Sequence, residues 1–133
     1  MTMKNELSQG SKSIVMIVDD TPGNLALLSD MLLESGYRVL VATDGLSALE
    51  QIQFITPDIV LLDVMMPDLD GGELATRFKS NPKLKDVPIV FLTAAVTKGE
   101  IAAGGGQLGG FPFLAKPVVL KEVIACLKHH LGA

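Results

Sequence analysis

The chain has 133 residues, of which 48% are hydrophobic and 20% charged, and its formal net charge is -4. This composition is typical of one globular domain with its own core and excludes an intrinsically disordered chain. Because the balance is acidic and no basic run is present, we expect no direct nucleic-acid binding within this chain. The single cysteine, Cys126, excludes an internal disulfide and suits a reducing compartment.

The N-terminal segment is polar and differs in composition from the rest of the chain. Residues 1–12 lack the apolar core of a signal peptide, and no apolar run anywhere reaches membrane-spanning length. We therefore expect a flexible leader over 1–12, a folded domain over 13–131, a cytoplasmic location and no membrane contact.

Short apolar, mostly β-branched runs alternate with amphipathic segments along the whole domain. Such runs predict strands buried on both faces, and apolar residues at helical spacing predict helices that cover the sheet. In chain order the expected elements are a strand at 13–18, a helix from Pro22 to Gly36, a strand at 37–42, a helix at 43–55, a strand at 58–63, a helix at 73–80, strands at 87–94 and 111–115, and a helix at 119–131.

Alternating strands and helices predict a parallel α/β sheet, and right-handed crossovers place helices on both of its faces. In open sheets of this class the ligand site lies beyond the carboxyl ends of the strands. Polar residues end or follow four of the predicted strands at that edge: Asp19 with Asp20, then Asp63, Thr93 and Lys116.

These residue types together indicate phosphoryl-transfer chemistry. Three carboxylates at one place require a cation, and hard oxygen ligands suit Mg²⁺. Lys116 supplies a point charge for a carboxylate or phosphate, and the Thr93 hydroxyl is a hydrogen-bond donor. A carboxylate nucleophile such as Asp63 completes the set.

Taken singly, each of these residues also fits an ordinary structural role. Asp19 or Asp20 alone is suited to cap the first helix, and Asp63 alone to occupy a surface turn. Thr93 fits a plain β-branched strand position, and Lys116 a solvated loop. Their convergence on one sheet edge favours the chemical interpretation.

Four motifs in order give the sequence a specific resemblance: "DD" at 19–20, "LLDVMMPDLDG" around Asp63, "FLTA" with Thr93, and "KP" at 116–117. They resemble the receiver domain of two-component response regulators, of the chemotaxis-regulator type. The resemblance covers about residues 13–131. It implies a flavodoxin-like (βα)5 fold with a five-stranded parallel sheet of order 2-1-3-4-5.

The resemblance also implies a role for the residues at the sheet edge. Asp63 would accept phosphate from a sensor histidine kinase or a phosphotransfer protein. Asp20, Asp63 and the backbone carbonyl of Met65 would hold Mg²⁺ directly, and Asp19 would act mostly through water. The chain would catalyse only its own phosphorylation and dephosphorylation. Thr93 and Lys116 would bind the phosphoryl group.

Phosphorylation would switch the face formed by the fourth helix, the fifth strand and the last helix for a downstream protein. Phe113 matches the family's switch aromatic, three residues before Lys116, although it also fits a plain core position. Five glycines lie between Gly104 and Gly110, where the family has its fourth helix. Because glycine disfavours helices, we expect that helix to be short or irregular.

Two positions depart from the receiver pattern, since many receivers carry a polar residue at one of them. Met65 and Ala95 stand two residues beyond Asp63 and Thr93, and neither side chain orients a hydrolytic water. We therefore predict a phosphorylated form that decays slowly, measurable as release of inorganic phosphate.

Two other functions remain as alternatives. One is a phosphate-independent binding module on the same fold; loss of Asp63 or Lys116 would favour it, and both residues are present. The other is a small Mg²⁺-dependent phosphatase with an aspartyl nucleophile, which usually carries a second aspartate where Met65 stands.

Overall fold

The computed structural model describes residues 13–63, 71–93, 107–108, 111–116 and 118–131. The elements in chain order are β1 (Ile14–Val18), α1 (Pro22–Glu34), β2 (Arg38–Ala42), α2 (Gly45–Gln51), β3 (Ile59–Asp63), α3 (Gly71–Ser80), β4 (Ile89–Thr93), β5 (Gln107–Leu108), β6 (Phe111–Ala115) and α4 (Leu120–Leu131). The leader predicted over 1–12 and the segment 94–106, where a short fourth helix is predicted, lie outside the described residues.

All strands except β5 form the expected parallel sheet. The strand order is β2-β1-β3-β4-β6-β5, and the five strands other than β5 pair in parallel, which confirms the predicted order 2-1-3-4-5. β5 adds a two-residue antiparallel strand, in which Gln107 pairs with Pro112 and Leu108 with Phe111. The glycines on both sides of β5 disfavour a helix there.

Helices cover both faces of the sheet, as predicted. α1 and α4 bury Leu25, Leu28, Leu32, Val123 and Leu127 in one apolar cluster with β1, β3 and β4. α2 and α3 bury Ala48, Leu74, Ala75 and Phe78 in a second cluster on the opposite face. Because β1, β3 and β4 contribute alternate residues to the two clusters, these strands are continuously apolar.

Local signals fix where the helices begin and end. α1 begins at Pro22, and Gly36 follows its end with a φ of 95°, a left-handed conformation that glycine adopts at little cost. Asp44 caps α2 by accepting the Ser47 N–H at 2.7 Å. The second helix ends at Gln51, shorter than the predicted 43–55, because the following residues turn away and leave the Phe54 side chain 83% exposed. None of the helices in these described ranges is long and apolar enough to cross a membrane.

Candidate functional site

Three carboxylates meet at the carboxyl edge of the sheet. Asp19 and Asp20 directly follow β1, and Asp63 ends β3. The two strands are parallel neighbours with Val18 opposite Leu62, so the residues that follow, Asp19 and Asp63, are also level with each other. One carboxylate oxygen from each of the three aspartates lies within 4.8 Å of the others. Asp19 and Asp63 are 2% and 4% exposed, whereas Asp20 is exposed to solvent.

Lys116 joins the two buried carboxylates. Its Nζ lies 3.0 Å from Asp19 Oδ2 and 3.2 Å from Asp63 Oδ2. Burial lowers the pKa of Lys116, but the hydrogen bond and charge of Asp19, with a smaller contribution from Asp63, outweigh it and raise the pKa above its usual 10.5. The backbone N–H of Lys116 donates to the Thr93 carbonyl at 2.8 Å, which fixes the lysine beside β4. Lys116 is therefore an ammonium held between two carboxylates.

Asp19 belongs to the charged cluster and also accepts a backbone hydrogen bond at the start of α1. Its Oδ1 accepts the backbone N–H of Thr21 at 3.0 Å, just before α1 begins, while its Oδ2 contacts Lys116. The sequence left a capping role open for Asp19 or Asp20, but the N-cap residue of α1 is Thr21, and no side chain caps the helix. Asp19 instead accepts the N–H of that N-cap residue, and Asp20 accepts the Thr21 hydroxyl at 3.5 Å. Asp20 is left facing solvent at the mouth of the cluster.

The donor set fits a hard divalent cation. Three carboxylates and one ammonium leave two net negative charges in one small volume. Mg²⁺ prefers oxygen ligands, binds through one or two carboxylates and keeps several waters, which the exposed side of Asp20 allows. Met65, whose carbonyl is the remaining predicted ligand, lies outside the described residues, as does Ala95.

Thr93 and Phe113 occupy different surroundings. Thr93 ends β4 and is 1% exposed, and because Asp63 pairs with Leu92, Thr93 lies one residue beyond Asp63 at the same edge. Phe113 pairs with Phe91 within the sheet and packs, partly buried, against the apolar cluster of α2 and α3. The structure thus brings Thr93 to the site and places Phe113 deeper in the sheet.

A cavity of about 290 Å³ opens beside the charged cluster, and sequence reasoning missed it. Its lining consists of Asp19, Asn24, Leu27, Leu28, Leu92, Lys116 and Val118. The one available sequence signal is that Asn24 lies in the first turn of α1, whose start faces the carboxyl edge. The apolar wall depends on how α1 packs beside the segment after β6, which no local pattern predicts.

Comparisons with known proteins agree with this geometry. The family model of the response regulator receiver domain matches residues 15–128. The polar-differentiation response regulator DivK of Brucella anthropi is 31% identical over 121 residues, which cover 89% of this chain and 95% of that protein.

Two solved structures share the fold closely. A putative response regulator from Chloroflexus aurantiacus is 33% identical with a TM-score of 0.80, and the match covers 92% of this chain and 100% of that chain. The receiver domain of the sensor histidine kinase PA1611 from Pseudomonas aeruginosa is 29% identical with a TM-score of 0.79 and the same coverage, 92% and 100%. That structure has a magnesium ion coordinated in its active-site cleft. The chain belongs to the response regulator receiver family, which confirms the resemblance seen in the sequence.

Proposed function

We propose that this receiver domain, residues 13–131, is a Mg²⁺-dependent phosphoacceptor that takes a phosphoryl group on Asp63 from a histidine kinase or a phosphotransfer protein. The observation that carries the proposal is the position of Asp63. Its carboxylate is 4% exposed, lies 3.2 Å from Lys116 Nζ and shares a cluster with Asp19 and Asp20. A carboxylate nucleophile beside a cation and further metal-binding carboxylates is suited to phosphoryl transfer.

The proposed transfer is an in-line displacement. An oxygen of Asp63 attacks phosphorus, the bond from phosphorus to the donor nitrogen breaks, and an acyl phosphate forms. The Lys116 ammonium, already 3.2 Å from Asp63, pairs with a phosphoryl oxygen, and the Thr93 hydroxyl donates to another. Asp20, Asp63 and the Met65 carbonyl would hold Mg²⁺, with Asp19 acting through water, and the bound ion would supply positive charge to neutralise the phosphoryl oxygens. The magnesium in the PA1611 receiver supports this metal choice.

A backbone hydrogen bond between the site and β6 gives phosphorylation a route to change the surface that binds a downstream protein. The hydrogen bond from the Lys116 N–H to the Thr93 carbonyl ties the end of β4 to the end of β6. A phosphoryl group that draws Thr93 and Lys116 inward therefore acts on β6, which carries Phe113. We propose that Phe113 follows this shift and that the face of the predicted fourth helix, β6 and α4 binds a downstream protein in the cytoplasm.

A phosphate-independent binding module on the same fold is the alternative function. Such a module has no need of the buried acceptor or of the lysine. Here Asp63 and Lys116 are both present and in direct contact. This contact favours the phosphoacceptor, a domain whose catalysis is confined to its own phosphorylation and dephosphorylation.

Labelling with acetyl phosphate tests the proposal. The wild-type protein should gain a phosphoryl group in Mg²⁺ and fail to do so in excess EDTA. Asp63→Asn should abolish labelling, whereas Asp30→Asn, which changes an exposed aspartate on α1, should label like the wild type. Undiminished labelling of Asp63→Asn, measured by intact-protein mass spectrometry, would sink the assignment.

A further inference from the structure

β2 forms one edge of the sheet, and its outer side pairs with no other strand among the described residues. Its inner side bonds to the β1 segment: the Arg38 N–H donates to the residue before β1 at 3.0 Å, and the Ala42 carbonyl accepts from the residue after β1 at 3.1 Å. Because the backbone groups of successive residues point to alternate sides of a strand, those of Val39 and Val41 point away from β1. β2 therefore presents backbone donors and acceptors along the outer edge of the sheet.

The two edges of the sheet differ in the features that prevent pairing with another chain. At the opposite edge, β5 has only two residues, and Pro112 in the neighbouring β6 has no N–H to donate. β2 has five residues, contains neither proline nor lysine, and includes two valines, which favour strands. Val41 is apolar and yet 43% exposed. The β2 edge is therefore the less protected of the two.

We propose that the β2 edge binds a second copy of this chain, with the two β2 strands antiparallel about a two-fold axis at Leu40. In this register Val39 of each copy lies opposite Val41 of the other. Because the backbone groups of both valines point outward, each such pair exchanges two N–H···O=C hydrogen bonds. The contact uses the same surface on both copies and joins the two sheets into one.

The side chains of β2 fit this register on both faces of the sheet. Opposite residues of an antiparallel pair lie on the same face, so the exposed Val41 packs against Val39 of the second copy. Val39 is partly buried against the apolar cluster of α1 and α4, and Val41 extends that apolar surface to the edge. On the other face Leu40, partly buried beside α2, meets its own counterpart at the axis.

Charges at the two ends of β2 are complementary about the same axis. Arg38 is exposed and lies opposite Ala42 of the second copy, and the backbone is extended again at Asp44, two residues further. Arg38 and Asp44 of the second copy are then diagonal neighbours, within reach of a long side chain. The Cα atoms of the two Arg38 residues lie about 14 Å apart, so these like charges are not opposed. This arrangement favours a second copy of the chain as the occupant of the edge.

The Gln51 side chain shares one of the edge acceptors. Its Nε2 donates to the Val41 carbonyl at 2.8 Å, and a carbonyl oxygen has a second lone pair that is able to accept the Val39 N–H of the second copy. Because the contact uses one short strand and a shared acceptor, it belongs to the small, weak class of interfaces. We therefore expect association in the micromolar range.

Sedimentation equilibrium of the full chain tests the contact, in EDTA and without a phosphodonor, so that phosphorylation does not contribute. Between about 5 and 500 µM the average mass should rise from that of a monomer toward twice that value. Val41→Lys, which places a charge on the edge, should lower the association constant at least about tenfold. Val119→Lys is the matched control: Val119 is 52% exposed and precedes α4, so this variant should associate like the wild type. Circular dichroism checks that both variants fold.

Cysteine cross-linking tests the register, in a Cys126→Ser background. Leu40→Cys places two sulfurs at the axis, where opposed Cα atoms are about 4.5 Å apart, so mild oxidation should yield a disulfide-linked dimer. Arg38→Cys places its two Cα atoms about 14 Å apart, too far for a disulfide, and should remain uncross-linked under the same conditions.

Four results would overturn the inference. The first is a wild type that stays at the monomer mass at every concentration. The second is an equal loss of association in Val119→Lys, which would place the contact on the α4 side. The third is cross-linking of Arg38→Cys as readily as Leu40→Cys. The fourth is a full chain that dimerises only after deletion of residues 1–12, which would make the leader the occupant of the edge.

Discussion

The two ends of β3 carry aspartates in opposite surroundings. Asp58, immediately before the strand, is exposed, and its Oδ2 accepts the Ile14 N–H at 2.7 Å. Its own N–H donates to the Ile14 carbonyl at 2.8 Å. Asp63, the last residue of the strand, is 4% exposed and contacts Lys116 within a cluster of three carboxylates.

The difference shows how position decides what a carboxylate does. At the amino edge, Asp58 completes the hydrogen bonding between β1 and β3, so it serves the fold. At the carboxyl edge, three carboxylates share one ammonium, and the remaining negative charge opposes folding until a cation binds there. Neutralising an aspartate of the carboxyl-edge cluster and neutralising Asp58 should therefore change stability in opposite directions.

Loss of the lysine gives the largest expected effect. Lys116→Ala leaves Asp19 and Asp63 buried without their shared cation, so we expect the metal-free protein to lose about 3 kcal/mol of unfolding free energy. Lys121→Ala, which changes an exposed lysine on α4, should cost less than about 0.5 kcal/mol. Urea unfolding in EDTA measures both. Equal losses would show that Lys116 does not offset the buried charge.

The next effect separates the edges by sign. Asp20→Asn removes one of three crowded charges, so the metal-free protein should become more stable by up to about 1 kcal/mol, discounted for the exposure of Asp20. Asp58→Ala removes the acceptor of the Ile14 N–H and should destabilise by about 1 kcal/mol. Urea unfolding in EDTA measures both changes in unfolding free energy. If the two changes had the same sign, the contrast between the two edges would be wrong.

Added Mg²⁺ should distinguish variants of the carboxyl-edge cluster from variants of the amino edge. Because a ligand that binds the folded state raises its stability, Mg²⁺ should shift the unfolding midpoint of the wild type and of Asp58→Ala alike. The shift should be much smaller for Asp20→Asn, which loses a proposed ligand. Isothermal titration calorimetry on the folded proteins checks the affinities directly, and equal affinities would remove Asp20 from the metal site.

The smallest effect concerns the last turn of α4, a helix that starts beside the carboxyl edge and ends at the opposite one. Burial, then the charge of His129, lowers the pKa of His130 below its usual 6.5. Between the folded and unfolded pKa values the unfolded chain binds more protons, so stability should rise with pH through this window and level off above about 6.5. His130→Gln should flatten that rise in urea midpoints more than His129→Gln does. An equal slope in wild type and His130→Gln would contradict the assignment.

The sequence predicts the sheet and the convergence at its edge because each buried strand stops at a polar residue. Asp19, Asp63 and Thr93 mark those stops, and parallel order brings them together. A lysine after the last strand is equally visible, but its simultaneous contact with Asp19 and Asp63 depends on side-chain geometry that only the structure gives.

Other features depend on contacts between distant segments. The wall of the cavity joins Asn24 and Leu27 on α1 to Val118, and no spacing within either segment indicates that they meet. β5 has two residues, too few to show a period. The predicted second helix is too long because Phe54 continues an apolar run, although its side chain is exposed.

The most direct test of the account compares the two aspartates of β3 as a pair. Intact-protein mass spectrometry after incubation with acetyl phosphate and Mg²⁺ should show a single added phosphoryl group on the wild type and on Asp58→Asn. Asp63→Asn should show none, because its neutral carboxamide lacks the carboxylate oxygen that attacks phosphorus. Labelling of Asp63→Asn to the wild-type level, or loss of labelling in Asp58→Asn with its fold intact, would contradict the assignment of the chemistry to the carboxyl edge.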